Sequence, residues 1–190
     1  MRCQFIYDSK HIGAEGTMTK LSFNRNDFDV GNYSNLRISM AHTNLENLTT
    51  TFDNNYMGSL TEVFYSKNIE LNSSNSDSWI HFDLNQSFAY DSSYNLVVDI
   101  TWYGDGGSSV SLYAKNDMSG EKRVYAYDKD ASTGSTDPTF LIAKFDIEIE
   151  NSDLRWGAQS MDPDLFKASL SGTNLVITPK INSMGEGTLH

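Results

Sequence analysis

Residues 95–102 read NLVVDITW, and this run carries the clearest structural signal in the chain. Side chains alternate between the two sides of an extended segment, so one face carries Leu96, Val98, Ile100 and Trp102. The other face carries Val97, Asp99 and Thr101. A period of two with β-branched and aromatic residues is typical of a β-strand, and the run therefore predicts one.

The same alternation recurs along most of the chain, and helical spacing is almost absent. We predict strands at residues 4–8, 17–24, 36–42, 60–66, 79–84, 95–102, 109–115, 123–128 and 140–150. Polar loops rich in Asn, Asp, Ser and Gly are predicted at residues 24–35, 68–78, 104–107 and 127–138. Many short strands with polar loops favour an all-β fold: an antiparallel β-sandwich, jelly-roll-like, with little or no helix.

The chain has 190 residues, a length that suits one large β-domain with a short extra segment. We predict a β-sandwich domain over residues 1–150. Residues 151–180 are predicted as an irregular segment plus a hairpin around Ser-Gly-Thr, packed on or extending the sandwich. Residues 181–190 lack an apolar pattern and are predicted as a linker or domain edge, so other domains of the same parent chain are expected partners.

Charge and hydropathy exclude several partners. The formal net charge is −11, without a basic run, so a nucleic-acid partner and an anionic membrane surface are not expected. The chain also lacks the apolar run of about 20 residues that a membrane helix needs, so membrane insertion is not expected. The single cysteine, Cys3, lies in an apolar run and is predicted to be a small buried hydrophobic residue.

Several segments occur in an order that resembles a known type of module. They are RCQFIY (2–7), GTMTKLSF (16–23), LRISMAHT (36–43), TEVFY (61–65), WIHFDL (79–84), FAYD (88–91) and NLVVDI (95–100). The order is similar to a jelly-roll-like β-sandwich module that recurs in large secreted and cell-surface proteins of Bacteroidetes-like bacteria. The resemblance covers residues 2–150 and implies an extracellular or cell-surface location, although no signal sequence is visible in this chain.

Acidic residues near the end of the predicted sandwich are one candidate catalytic set. Asp146, Glu148 and Glu150 alternate with apolar residues, which places the three carboxyl groups on one face of a strand. Neighbours two apart on a strand are separated by about 6.6 Å of rise, close to the roughly 5–5.5 Å that suits a retaining glycoside hydrolase. The alternative is the solvent face of an amphipathic strand.

A second candidate site is a Ca²⁺ site built from loop carboxylates. Asp128, Asp130 and Asp137 fall in one predicted loop, and Asp105 stands between glycines in another. Oxygen ligands from flexible loops are what Ca²⁺ prefers, so Ca²⁺ is the one cofactor that we consider. A simple solvated loop is the alternative, because no EF-hand pattern follows these residues.

Aromatic residues form a third candidate site, for a glycan. Trp102 and Tyr103 end a predicted strand at a loop, and Tyr125 and Tyr127 share a face one strand later. Exposed aromatic rings stack on the apolar face of a pyranose, and nearby polar groups bind its hydroxyls. Core packing is the alternative for Trp102.

The sequence is therefore compatible with three functions. The first is a non-catalytic surface, adhesion or structural module of a larger exported bacterial protein, with a glycan or a cell-surface protein as its partner. The second is a carbohydrate-binding module that uses the aromatic residues. The third is a glycoside hydrolase that uses Asp146, Glu148 and Glu150.

Overall fold

The computed structural model describes residues 1–26, 30–71, 78–104, 110–117, 119–149, 166–171 and 174–179. The chain divides into two compact units, Met1–Ile149 and Glu150–His190. Helix is limited, within those described residues, to one short turn at Ser9–Ile12 and a 3-10 turn at Phe52–Asn54. Of the helices in the described part of the chain, none has the length and hydropathy to cross a membrane.

Strands dominate the first unit. In chain order they are β1 (Arg2–Tyr7), β2 (Gly16–Asn24), β3 (Gly31–Thr43), β4 (Thr61–Leu71), β5 (Trp79–Tyr90), β6 (Asn95–Gly104), β7 (Ala114–Asn116), β8 (Arg123–Ala126), β9 (Ser135–Asp137), β10 (Thr139–Leu141) and β11 (Ala143–Glu148). In the second unit, β12 (Phe166–Ser171) and β13 (Asn174–Pro179) pair antiparallel at the place of the predicted hairpin.

The strands of the first unit form antiparallel sheets that pack against each other. A six-stranded sheet has the order β4-β3-β6-β1-β8-β9, a three-stranded sheet the order β11-β2-β5, and β10 pairs with β7. The chain passes between the two larger sheets at β1–β2, β2–β3, β4–β5 and β5–β6. This alternation is the connectivity of a jelly-roll-like sandwich, and the predicted all-β sandwich fold is confirmed.

The main core lies between the two larger sheets. The six-stranded sheet contributes Phe5, Ile38 and Val98, and the three-stranded sheet contributes Met18, Leu21 and Phe82. On β1, β3, β5 and β6 the core residues follow a period of two, as expected when one face is buried. Met18 and Leu21 are three residues apart on β2 because the pairing of β2 with β5 is irregular between Met18 and Lys20. Each such apolar side chain contributes about 1.5–3 kcal/mol when it is fully buried, so the core stabilises the stacking of the two sheets.

The outer face of the six-stranded sheet is also covered. Leu48 and Phe52, from the segment between β3 and β4, pack with Ile6, Val97 and Val124 in a second apolar cluster. Strand β6 is therefore buried on both faces, and Leu96, Val97 and Val98 are all 0% exposed. This explains the continuous apolar run in the middle of NLVVDITW, because a strand buried on both sides has no solvent face.

A buried polar network connects the segment between β3 and β4 to the six-stranded sheet. Asp99 Oδ2 accepts hydrogen bonds from Arg2 Nη2 at 2.8 Å and from Gln4 Nε2 at 2.6 Å. Asn55 Nδ2 donates to Gln4 Oε1 at 3.0 Å, and Thr49 N donates to Asn55 Oδ1 at 2.7 Å. Buried polar groups need such partners, so the network fixes where the segment crosses the sheet.

Several predicted boundaries were wrong. Residues 140–150, predicted as one strand, hold both β10 and β11, because Ile142 N bonds to Tyr113 O where the chain changes sheets. The predicted loop at residues 127–138 contains β9, which pairs with β8. A strand was also predicted at residues 109–115. In the described part of this range the strand begins only at Ala114, because the preceding residues make isolated contacts with the end of β2.

Candidate ligand-binding cleft

A cleft opens between the two larger sheets at the end where β3 begins and β6 ends. Its volume is about 520 Å³, within the range of roughly 300–1,000 Å³ that is usual for small-molecule sites. The inner walls carry apolar side chains from four strands of both sheets: Cys3, Phe5, Ile38, Ile80, Phe82 and Ile100. The cleft is thus an extension of the core that reaches the surface.

Four aromatic residues, which we call the aromatic rim, line the cleft: Tyr33, Trp102, Tyr125 and Tyr127. Tyr33, Trp102 and Tyr125 are partly buried and also pack against the core. The Trp102 and Tyr33 rings meet edge to face, with centroids 6.4 Å apart. Tyr125 and Tyr127 also meet edge to face at 6.4 Å. Tyr127 is 85% exposed, so most of its ring is open to a ligand.

Strand β1 lies between the strand that carries Trp102 and the strand that leads to Tyr125 and Tyr127. It lies between β6 and β8, with Cys3 opposite Tyr125 in the register of β1 and β8. On its other side, Trp102 N donates to Met1 O at 3.0 Å. Trp102 and Tyr125 therefore lie on the same inner face of one sheet, on either side of β1, although they are far apart in sequence.

Tyr103 is separated from the other three predicted aromatic residues. It follows Trp102 directly in β6, so its side chain falls on the opposite face of the strand. The side chain is about half exposed, and Lys129 Nζ lies 5.3 Å from the centroid of its ring. The structure thus brings together Trp102, Tyr125 and Tyr127 at the cleft and places Tyr103 on the outer side of the sheet.

One cationic side chain stands beside the rim. The Arg123 guanidinium lines the cleft and lies 4.8 Å from the centroid of the Tyr125 ring. Its Nε also donates to Asp137 Oδ1 at 3.1 Å. Partial burial acts to raise the pKa of Asp137, but hydrogen bonds from Arg123 and Thr139 outweigh it and lower that pKa below its ordinary value. The ion pair holds Arg123 in a set orientation at the opening.

The three predicted Ca²⁺ ligands that the structure describes have separate partners. Asp137 faces Arg123, whereas Asp130 contacts Lys129 Nζ. Asp128 Oδ1 accepts a hydrogen bond from the backbone N of Asp130 at 3.0 Å, which closes a local turn. Asp105 lies outside the described residues. Across the described part of the chain, no group of three or more His, Cys, Asp or Glu residues is placed to hold a metal, and the Ca²⁺ site stays a prediction.

Two of the three predicted catalytic carboxylates lie in a different part of the sandwich from the cleft. Asp146 and Glu148 occupy the exposed face of β11, which lies at one edge of the three-stranded sheet. In the register of β11 with β2, Asp146 stands opposite Lys20, whose Nζ lies 3.0 Å from Asp83 Oδ1. Glu150 lies outside the described residues. Asp146 and Glu148 therefore lie on the solvent face of an amphipathic strand. A role of these residues in glycoside hydrolysis stays an untested alternative.

The cysteine is part of the cleft wall. Cys3 is buried, and its burial raises the pKa of the thiol to about 12. The thiol is therefore protonated near neutral pH and acts as an apolar surface. This agrees with the prediction of a small buried hydrophobic residue.

Tyr33 is the rim residue that the sequence analysis missed. It lies in a segment predicted as a polar loop, whereas β3 begins earlier, at Gly31. Its hydroxyl oxygen accepts a hydrogen bond from Val110 N at 3.0 Å, which positions the ring at the opening. The surrounding Asn, Asp and Gly residues hide the strand, so composition carried no usable signal for Tyr33.

Comparisons of the chain with protein-family models, with curated proteins and with solved structures give no match. The resemblance to a module of secreted bacterial proteins therefore stays a prediction.

Proposed function

We propose that this chain is a non-catalytic carbohydrate-binding module that holds a sugar ring against the aromatic rim. The convergence of Trp102, Tyr125 and Tyr127 on one opening is the observation that carries the proposal. Flat aromatic rings stack on the apolar face of a pyranose, and an opening with several such rings gives a ligand both area and orientation.

Polar groups at the rim support the same function. The Tyr125 and Tyr127 hydroxyls donate and accept hydrogen bonds, and Arg123 adds a donor whose orientation Asp137 already holds. A side chain held in place before binding loses less freedom when the ligand arrives. The net charge of −11 disfavours a polyanionic ligand, so we expect a neutral glycan.

The biological setting that we propose is a surface or adhesion module of a larger exported bacterial protein, attached to its target through a glycan. Non-catalytic binding is supported by the position of Asp146 and Glu148, which lie on the exposed face of β11 rather than at the aromatic rim. A cell-surface protein is the alternative partner. The proposed site does not include Ca²⁺, and the effect of the ion on binding is tested with a chelator.

A glycan array and a polysaccharide pull-down, each run with Ca²⁺ and with a chelator, test this function. We expect one class of neutral glycan to bind and Tyr127→Ala to weaken its affinity about tenfold, since one stacking ring is lost. Tyr113→Ala is the matched control, because Tyr113 is exposed and lies outside the cleft.

Two results would contradict the proposed function: the absence of any bound glycan in both buffers, or equal weakening by the two tyrosine variants. If the glycan binds in the Ca²⁺ buffer but not in the chelator buffer, the Ca²⁺ ion is part of the carbohydrate site. Binding that is equal in both buffers would remove the ion from it.

A further inference from the structure

We infer that the ligand of the cleft is a β-1,4-linked glycan of at least three sugar residues, which crosses β6, β1 and β8 and stacks on two separate rings, Trp102 and Tyr127. This inference rests on the proposed function and adds the chain length and the linkage of the ligand. Because the cleft is partly open to solvent, a glycan longer than the cleft can extend beyond it.

The first half of the aromatic rim, Tyr33 and Trp102, offers one ring to a ligand. Tyr33 is held from two sides: its hydroxyl accepts a hydrogen bond from Val110 N, and a Cβ added at Gly31 would stand 2.7 Å from its ring. The edge-to-face contact with Trp102 takes up a third side of the pair. Trp102 is partly exposed, so it is the ring of this half that remains for stacking.

The second half of the rim, Tyr125 and Tyr127, also offers one ring. The Arg123 guanidinium lies over the Tyr125 ring and covers one of its faces. Tyr125 is partly buried as well, whereas Tyr127 is 85% exposed. Tyr127 is therefore the ring on which a sugar stacks, and Tyr125 supports it from the side.

The two stacking rings belong to the same level of the six-stranded sheet. Trp102 N donates to Met1 O at 3.0 Å, so Trp102 stands beside Met1 on one side of β1. On the other side, Arg2 pairs with Ala126, and the same register brings the next residue, Tyr127, beside Met1. The strands that lead to the two rings are separated by β1 alone, which corresponds to about 10 Å.

This separation selects the linkage of the glycan. About 10 Å, the width of two strand spacings, is close to the length of two sugar residues in an extended β-1,4-linked chain. Successive rings of such a chain present opposite faces, so the first and third residues turn the same face to the protein. They can stack on Trp102 and Tyr127 together, while the middle residue lies over β1, where the cleft is lined by the non-aromatic Met1 and Cys3.

Calorimetric titration with two β-1,4-linked series, cello-oligosaccharides and manno-oligosaccharides of one to five residues, tests the inference. On one of the series we expect the affinity to rise at least about tenfold from the disaccharide to the trisaccharide, because only the trisaccharide reaches both rings. Longer oligosaccharides should add much less. The lack of this step on both series would overturn the inference.

Tyr127→Ala removes the second ring and should abolish the step. Its affinity for the disaccharide should stay within about twofold of the natural protein, because the disaccharide still stacks on Trp102. Tyr113→Ala is the matched control and should keep the step, since Tyr113 is exposed and lies outside the cleft. A step that persists in Tyr127→Ala would also overturn the inference.

Trisaccharides of the same sugar with other linkages, such as maltotriose and laminaritriose for glucose, test the linkage. They should bind no more tightly than the β-1,4-linked disaccharide, and equal binding of all trisaccharides would contradict the selected linkage. Glycan binding on the array without a step in chain length would leave the proposed function in place and overturn only this inference. The absence of any bound glycan would overturn both.

Discussion

Each end of the sandwich carries an aromatic cluster. At one end the rings are open to solvent, whereas at the other end they are in contact with other residues of the chain. The aromatic rim surrounds an open cleft. At the other end is the closed cluster, which we define as His42, Phe88, Tyr90 and Tyr94. There the His42 ring stacks on Tyr90 with centroids 5.8 Å apart and lies 5.0 Å from Phe88.

Polar atoms of the closed cluster are also paired within the chain. Asp91 N donates to His42 Nε2 at 2.9 Å, and the Tyr90 hydroxyl donates to Tyr94 O at 2.8 Å. Tyr90 is 3% exposed, whereas Tyr127 at the rim is 85% exposed. Similar residues therefore stabilise the fold at one end and remain available to a ligand at the other, so aromatic content alone does not identify a binding site.

The largest effect that we expect from this difference comes from Phe88→Ala. Phe88 is buried against the core, and its truncation removes packing and leaves a cavity, which costs about 3–5 kcal/mol of the free energy of unfolding. Urea denaturation followed by tryptophan fluorescence measures the loss. A loss below about 1 kcal/mol would mean that the closed cluster does not hold this end of the sandwich together.

A smaller effect is expected from acid, through His42. Burial lowers the pKa of His42 from its ordinary value, and the charge of Asp91 only partly opposes this shift. The unfolded chain then takes up the proton at a higher pH than the folded chain does. The stability that neutral His42 contributes is complete above the unfolded pKa near 6.5, and it is lost as the pH falls from there through the folded pKa.

Thermal unfolding between about pH 7.5 and pH 5.5 measures this contribution, with His42→Gln as the matched variant. The Gln amide oxygen retains an acceptor for Asp91 N but does not titrate, so the variant should lose less stability on acidification than the natural protein. Parallel pH profiles of the two proteins would rule out His42 as a titrating stabiliser of the closed cluster.

The smallest effect on stability is expected from Tyr127→Ala at the rim. Because Tyr127 is almost fully exposed, its removal should change the free energy of unfolding by no more than about 0.5 kcal/mol. The same variant should weaken glycan binding about tenfold, as expected for the proposed site. A large loss of stability in denaturant would show that Tyr127 has a structural role and would remove the contrast between the two ends.

Much of the candidate site could be predicted from local sequence, but its depth could not. Trp102 was identified because it ends an alternating strand at a loop, and Tyr125 and Tyr127 because they stand two residues apart. Their convergence depends on β1 lying between β6 and β8, which is a long-range pairing. The depth of the cleft depends on the distance between two sheets, and no pattern within one strand encodes that distance.

Alternation of apolar and polar residues by itself determined the strand type, the all-β fold and the inner face of most strands, because side-chain direction in a strand has a period of two. Only the tertiary structure decided what covers each outer face. Val97 and Asp99 alternate as if they faced solvent, yet both are buried beneath the segment that carries Phe52 and Asn55. That burial depends on contacts between residues distant in sequence, and a local pattern cannot distinguish a face covered by protein from one covered by water.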